Sequence, residues 1–239
     1  MKVRYLVKFT KGSNIKFVSH LDLMRTLQKI IKRGNLPIEY SQGFNPHMSI
    51  SLAQPLSVGM FSKGEYMDIN LSENLDTWVV KDRLNENSSS NIKFINVVKI
   101  DKESKDGKKI PQAMAAIEAA SYSINIKYHS LDKIEEDIKN IFKMEEWKVL
   151  KKGKSGEKEV DIKPMLKKFN HKIENNSLIL EVLVSAGSRE NLSADLLSKF
   201  ILDNTHNGDK EGFVLIERQE IYGGNEDNLV SLDKYLGNM

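Results

Sequence analysis

Polar and apolar positions alternate in two periods along the first hundred residues. In "KVRYLVKF", Val3, Tyr5, Val7 and Phe9 fall on one face and Lys2, Arg4 and Lys8 on the other, the period-two rhythm of a strand with one core side and one basic side. The period then lengthens in "SHLDLMRTLQKIIKRG". There Leu23, Met24, Leu27, Ile30 and Ile31 recur at helical spacing, and Arg25, Gln28, Lys29, Lys32 and Arg33 fill the remaining arc. Ser19 and Asp22 have capping-box spacing, and Gly34 stands where a helix ends in a left-handed residue. "HMSISLA" and "EYMDINL" alternate again, "LDTWVVKDRLNE" supplies a second amphipathic helix, and "IKFINVVKI" a fourth strand. Strand, helix, strand, strand, helix, strand predicts a ferredoxin-like unit over 1–101, with both helices on one sheet face and the other face open.

Composition shifts in "DKESKDGKKIPQAMAAIEA", charged and then alanine-rich, which predicts a linker over 102–117. The pattern then restarts. "SYSINIKY", "WKVLKK", "SLILEVLVS" and "GFVLIERQEIYG" read as strands, and "SLDKIEEDIKNIFK" and "SADLLSKFILD" as helices. A second ferredoxin-like unit over 118–222 fits this order, with a Lys-rich insert at 152–176 that lengthens its hairpin. Residues 223–239 read as a C-terminal tail framing a short helix. The predicted fold class is α+β: two tandem ferredoxin-like (βαββαβ) domains with antiparallel sheets.

The absence of cysteine among 239 residues narrows the chemistry most. Thiolate zinc sites, cysteine nucleophiles and cysteine-held iron-sulfur clusters are excluded for this chain, and no cofactor is expected. No apolar run has the length to cross a bilayer, so no membrane association is expected. The basic N-terminus alternates with apolar residues instead of forming a signal-peptide core, and a cytoplasmic location is expected. A net charge of +3, from 36 basic and 33 acidic residues, points to no polyanionic partner unless local clustering does.

The long stretch "FVSHLDLMRTLQKIIKRGNLPIEYSQGFNPHMSISLAQPLSVGM" strongly resembles the signature of the bacterial radical-SAM-linked domain of unknown function. "VDIKPML", "NLSADLL" and "IERQEIYG" resemble that family's later landmarks, so the likeness runs through residue 222. The resemblance implies association with a radical-SAM enzyme, in a setting of RNA processing. Without cysteine this chain cannot hold the cluster such an enzyme needs; it could only assist one.

Candidate binding residues cluster in two places. His20 stands at the first helical position, where the positive end of the dipole and free backbone N–H groups can meet an anion. In "YSQGFNPH", Gly43 and Pro46 suit a turn, Asn45 an Asx-turn, and Phe44 a pin into the core. Tyr40, Gln42, Asn45 and His47 then offer hydrogen-bonding side chains beyond what a turn requires. The fold would hold His20 and His47 at opposite ends of the sheet, so no metal site is expected. Lys2, Arg4 and Lys8, joined by Arg25, Lys29, Lys32 and Arg33, form an RNA footprint if the fold gathers them, and a solvated face otherwise. Arg218, alternating with core residues, could reach a carboxylate or a phosphate.

The leading expectation is a non-catalytic accessory module that binds RNA, or presents an RNA substrate, for a radical-SAM enzyme. Its RNA-binding residues would be His20, Arg25, Tyr40, Gln42, Asn45, His47, Arg4, Lys8 and Arg218. One alternative is a metal-independent endoribonuclease of tandem ferredoxin-like architecture, with His20 as the candidate catalytic residue. Another is a protein-docking scaffold.

Overall fold

The computed structural model describes residues 2–153 and 156–239. In chain order the first elements are β1 (Val3–Lys11), α1 (His20–Arg33), β2 (Ile50–Leu52), β3 (Phe61–Leu71), α2 (Thr77–Glu86) and β4 (Phe94–Ile100). Next come β5 (Ala119–Lys127), α3 (Ile134–Lys143), β6 (Lys148–Gly153), β7 (Gly156–Asp161), β8 (Leu166–Glu174), β9 (Ser177–Ser185) and α4 (Ala194–Asp203). The last are β10 (Leu215–Asn225), β11 (Asn228–Ser231) and α5 (Leu232–Gly237). The architecture is mixed α+β, with mostly antiparallel pairing. Two compact units divide the chain: residues up to Ala119 with Arg218–Met239, and Ala120–Glu217.

In the first unit the strands lie in the order β4-β1-β3-β10, with β2 on β3 and β11 on β10. Tyr5 on β1 stands opposite Ile69 on β3 and Lys99 on β4. Val3, Tyr5, Val7 and Phe9 share one face, and Leu23, Leu27, Ile30 and Ile31 of α1 close over it with Val80 and Leu84 of α2. Burying an aliphatic or phenyl side chain of this size contributes about 1.5–3 kcal/mol. The two periods read from the sequence therefore meet in one core.

Ser19 caps α1, its Oγ accepting from the Asp22 N–H at 3.2 Å and donating to Asp22 Oδ2 at 2.8 Å. At the other end the left-handed residue is Asn35 (φ 46°), while Gly34 has φ −72°. Gly34 eases a close approach instead: a Cβ there would lie 3.0 Å from the Arg83 carbonyl oxygen, tighter than an ordinary contact.

The alternation predicts an uncovered second sheet face, and here the structure differs. Leu6, Tyr66 and Asp68 point away from α1 and α2, and all three are buried. Their cover comes from the stretch read as linker, in which Ile110, Ala113 and Ile117 are buried, and from the stretch read as tail. The tail forms β11 and α5, and α5 packs on β4 and β1 with Leu232 and Leu236 inward. Polar contacts bind the layers. The Tyr66 hydroxyl lies 2.8 Å from Glu220 Oε1 and 3.1 Å from Asp233 Oδ1, and Asn96 donates to Asp233 Oδ2 at 2.8 Å.

In the second unit β5, β9 and β8 lie side by side in that order, and β6 and β7 form a separate two-stranded sheet. Within the insert at 152–176, residues 154 and 155 lie outside the described residues; the remainder holds β7 and β8. β8, not β6, is the strand that pairs with β9, Leu166 opposite Val184 and Phe169 opposite Val182. Trp147 is buried, stacked on Phe200 with centroids 5.0 Å apart and edge-on to Phe142 at 5.3 Å. Its Nε1 donates to the Ile141 carbonyl at 3.0 Å, so the one polar atom of the indole is satisfied inside.

Candidate nucleic-acid interface

Tyr40 and Met48 form an isolated antiparallel bridge, and between them the loop closes on itself. Ser41 N donates to the His47 carbonyl at 2.8 Å, and His47 N donates to Ser41 Oγ at 2.9 Å. Gly43 takes φ 123°, a conformation that favours glycine, and lets the chain reverse. The backbone is thus pinned at its base while Tyr40, Gln42, Phe44, Asn45 and His47 all stand exposed. Phe44 does not pin the loop to the core; it is fully exposed at the tip. Reading the sequence missed this ring. Its flanks, glycine before and Asn-Pro after, offer no apolar neighbour to bury it with, and that was the available signal.

The loop stands where β1 begins and β3 ends: Ile38 bridges to Leu71, and Val3 lies opposite Leu71. α1 finishes nearby in the chain, seven residues before Tyr40, a connection that spans at most about 25 Å. On its outer side Arg25, Lys29, Lys32 and Arg33 are exposed. Arg25 pairs with Asp22 at 2.9 Å, while Lys29, Lys32 and Arg33 make no ion pair among the described residues. The hydrogen bond from Ser19, and then that from Arg25, hold the Asp22 carboxyl below the usual carboxylate range.

The strand half of the basic footprint does not reach solvent as free charge. Arg4 Nε donates to Asp68 Oδ1 at 2.7 Å and Nη1 to the Pro111 carbonyl at 2.8 Å. Lys8 pairs with Glu220 and lies 5.4 Å from the Tyr66 ring centroid. Lys2 is 3.5 Å from Glu39. Arg218 reaches a carboxylate: it is buried and paired with Glu65. Arg4, Lys8 and Arg218 are therefore parts of the fold's interior pairing, and the exposed basic side chains of the expected footprint are Lys2, beside Glu39, and those of α1.

His20 is half-buried at the start of α1, its Nδ1 buried and without a hydrogen-bond partner among the described residues. The turn before it is held by the Lys11 ammonium, which donates to the carbonyls of Lys16 at 3.0 Å and Val18 at 3.1 Å. Burial first, and the Arg218 charge second among the lowering influences, push the Lys11 amine below its ordinary value against the pull of Glu65. Since Lys11 pairs with Ser62 at one end of β1 and Val3 with Leu71 at the other, His20 and the loop carrying His47 stand at opposite ends of the sheet. Among the described residues no group of three His, Asp or Glu is placed to hold a metal ion.

One solved structure similar to this chain is the "Crystal Structure of an Unknown Protein from Galdieria sulphuraria", at 9% identity and a TM-score of 0.26, covering 91% of this chain and 98% of that one. No curated protein matches the chain. Residues 4–194 match the family described as "Uncharacterized protein conserved in bacteria (DUF2344)", and the chain belongs to that family.

Proposed function

We propose that the chain is a non-catalytic accessory module that binds single-stranded RNA for a radical-SAM enzyme through the Tyr40–His47 loop and the outer side of α1. The observation that carries this reading is a loop of exposed rings, with amides beside them, that follows in the chain a helix whose Lys29, Lys32 and Arg33 are exposed and make no ion pair among the described residues. Single-stranded nucleic acid is held by aromatic faces that stack on bases and by cations that follow the phosphates, and the bases are read by amides on their edges. The partner enzyme rests on the sequence signature alone. The strand orders β4-β1-β3-β2 in one unit and β5-β9-β8 in the other support reading both as ferredoxin-like.

Titration of labelled single-stranded RNA at several salt concentrations tests the reading. Affinity falls with a log-log slope of about −0.7 per phosphate contact if cations on α1 carry it. Charge reversal at Lys29 and Lys32 flattens that slope, and Tyr40→Ala with Phe44→Ala weakens binding at every salt concentration. A flat salt response in the parent chain overturns the reading. Capture of a radical-SAM enzyme that survives nuclease treatment would shift it toward a protein-docking scaffold.

A further inference from the structure

We propose that the first unit also holds a small-ligand site, independent of the RNA reading: a cleft on the sheet face turned away from α1 and α2 that takes a phosphate monoester with an apolar body. The cleft has a volume of about 1120 Å³ and is lined by residues in or beside β1, β2, β3 and β4 and by the segment 101–115. Its floor is apolar, with Met48, Ile100 and Ile110 buried beside Pro111. A mostly apolar concavity with a few convergent polar groups is the ordinary form of a small-molecule site.

Arg4 supplies the group that selects an anion. Its plane is fixed by Asp68 on Nε and by the Pro111 carbonyl on Nη1. Asp68 pairs with the guanidinium at one point only, and its other oxygen accepts from the Ala113 N–H at 2.8 Å. Nη2 is buried and makes no hydrogen bond among the described residues, and Arg4 is one of the residues that line the cleft. An unpaired buried guanidinium N–H is costly, and in folded proteins such a group calls for a bound ion, water or ligand. Five basic side chains in the wall against three carboxylates favour an oxyanion, and four of the five, Lys2, Lys99, Lys102 and Lys109, are exposed at the rim. A phosphate meets the fixed donor and the rim charges together, while the apolar floor takes the body it is esterified to.

Calorimetry with adenosine 5′-monophosphate as probe, beside inorganic phosphate and adenosine, tests the proposal. The monophosphate is expected to bind with a Kd of about 1 mM or below, and each comparison compound at least about tenfold more weakly. Arg4→Gln weakens the monophosphate about tenfold. Because Arg4 also holds Asp68, Ala115→Trp serves as the second variant; it fills the cleft from the rim and leaves the guanidinium in place. That variant loses the nucleotide and keeps RNA binding, whereas Tyr40→Ala with Phe44→Ala does the reverse. No binding up to roughly 10 mM probe, or unchanged affinity in Ala115→Trp, overturns the proposal.

Discussion

Arg218 on β10 and Glu65 on β3 face each other with side-chain exposures of 1% and 2%. The guanidinium donates from Nε to Oε1 at 2.8 Å and from Nη2 to Oε2, and Nη2 also reaches the Gln54 carbonyl at 2.9 Å. A desolvated pair of this kind tolerates joint replacement better than the loss of one member. Glu65→Ala is expected to lower stability by about 3–5 kcal/mol in urea unfolding, and Glu65→Leu with Arg218→Met to recover most of it. Equal losses in the single and double variants would show that packing, not charge, fixes this crossing.

Tyr66 sets an alkaline limit. Burial, and then the charges of Glu220 and Asp233, push its phenol far above the ordinary tyrosine value. The folded state therefore keeps this proton where the unfolded chain releases it. Stability from Tyr66 is complete below about pH 10 and is lost as pH rises beyond that. Tyr66→Phe should unfold more easily at neutral pH, since two acceptors lose their donor, and show a shallower decline above pH 10. Thermal melts across that range check the slope.

Phe44 separates binding from folding. Its ring touches no core, so Phe44→Ala should change stability by less than about 0.5 kcal/mol. The same change should weaken single-stranded RNA by about 1–3 kcal/mol, the worth of one stacked base. A melting curve and a binding isotherm on one preparation give both values.

The two tryptophans report on different environments. Trp147 is buried between Phe200 and Phe142, whereas Trp78 is exposed. Trp78→Phe should leave a blue-shifted emission that moves to the red only on unfolding. Trp147→Ala should cost about 3–5 kcal/mol, and what emission remains should already be red-shifted in the native state.

The elements of both units could be read from the sequence where local pattern decides them. α1 is bounded by Ser19 and Gly34 as its sequence announces, because capping and amphipathicity are properties of neighbours in the chain. β8 was not legible. Its alternation is diluted by Lys167, Lys168 and Lys172, and none of its residues is fully buried, so little apolar pattern marks it. The closed second face of the first sheet was hidden for another reason: Tyr66 meets Asp233, 167 positions away, and no periodicity carries that information. The same holds for the binding surface. Lys8 and Lys32 look alike in the sequence, yet one is drawn to Glu220 and the other left to solvent.

Because Arg218–Met239 fold with residues up to Ala119, the first unit cannot be finished as it leaves the ribosome. The whole of Ala120–Glu217 must be translated first, an interval of several seconds at about 5–20 residues per second. During that wait the side of β1 and β4 that later carries α5 stands bare on a nascent chain, with Leu6 among its residues. A chaperone acting on this chain would therefore find its target on the segment before Ala119 until Arg218–Met239 emerge.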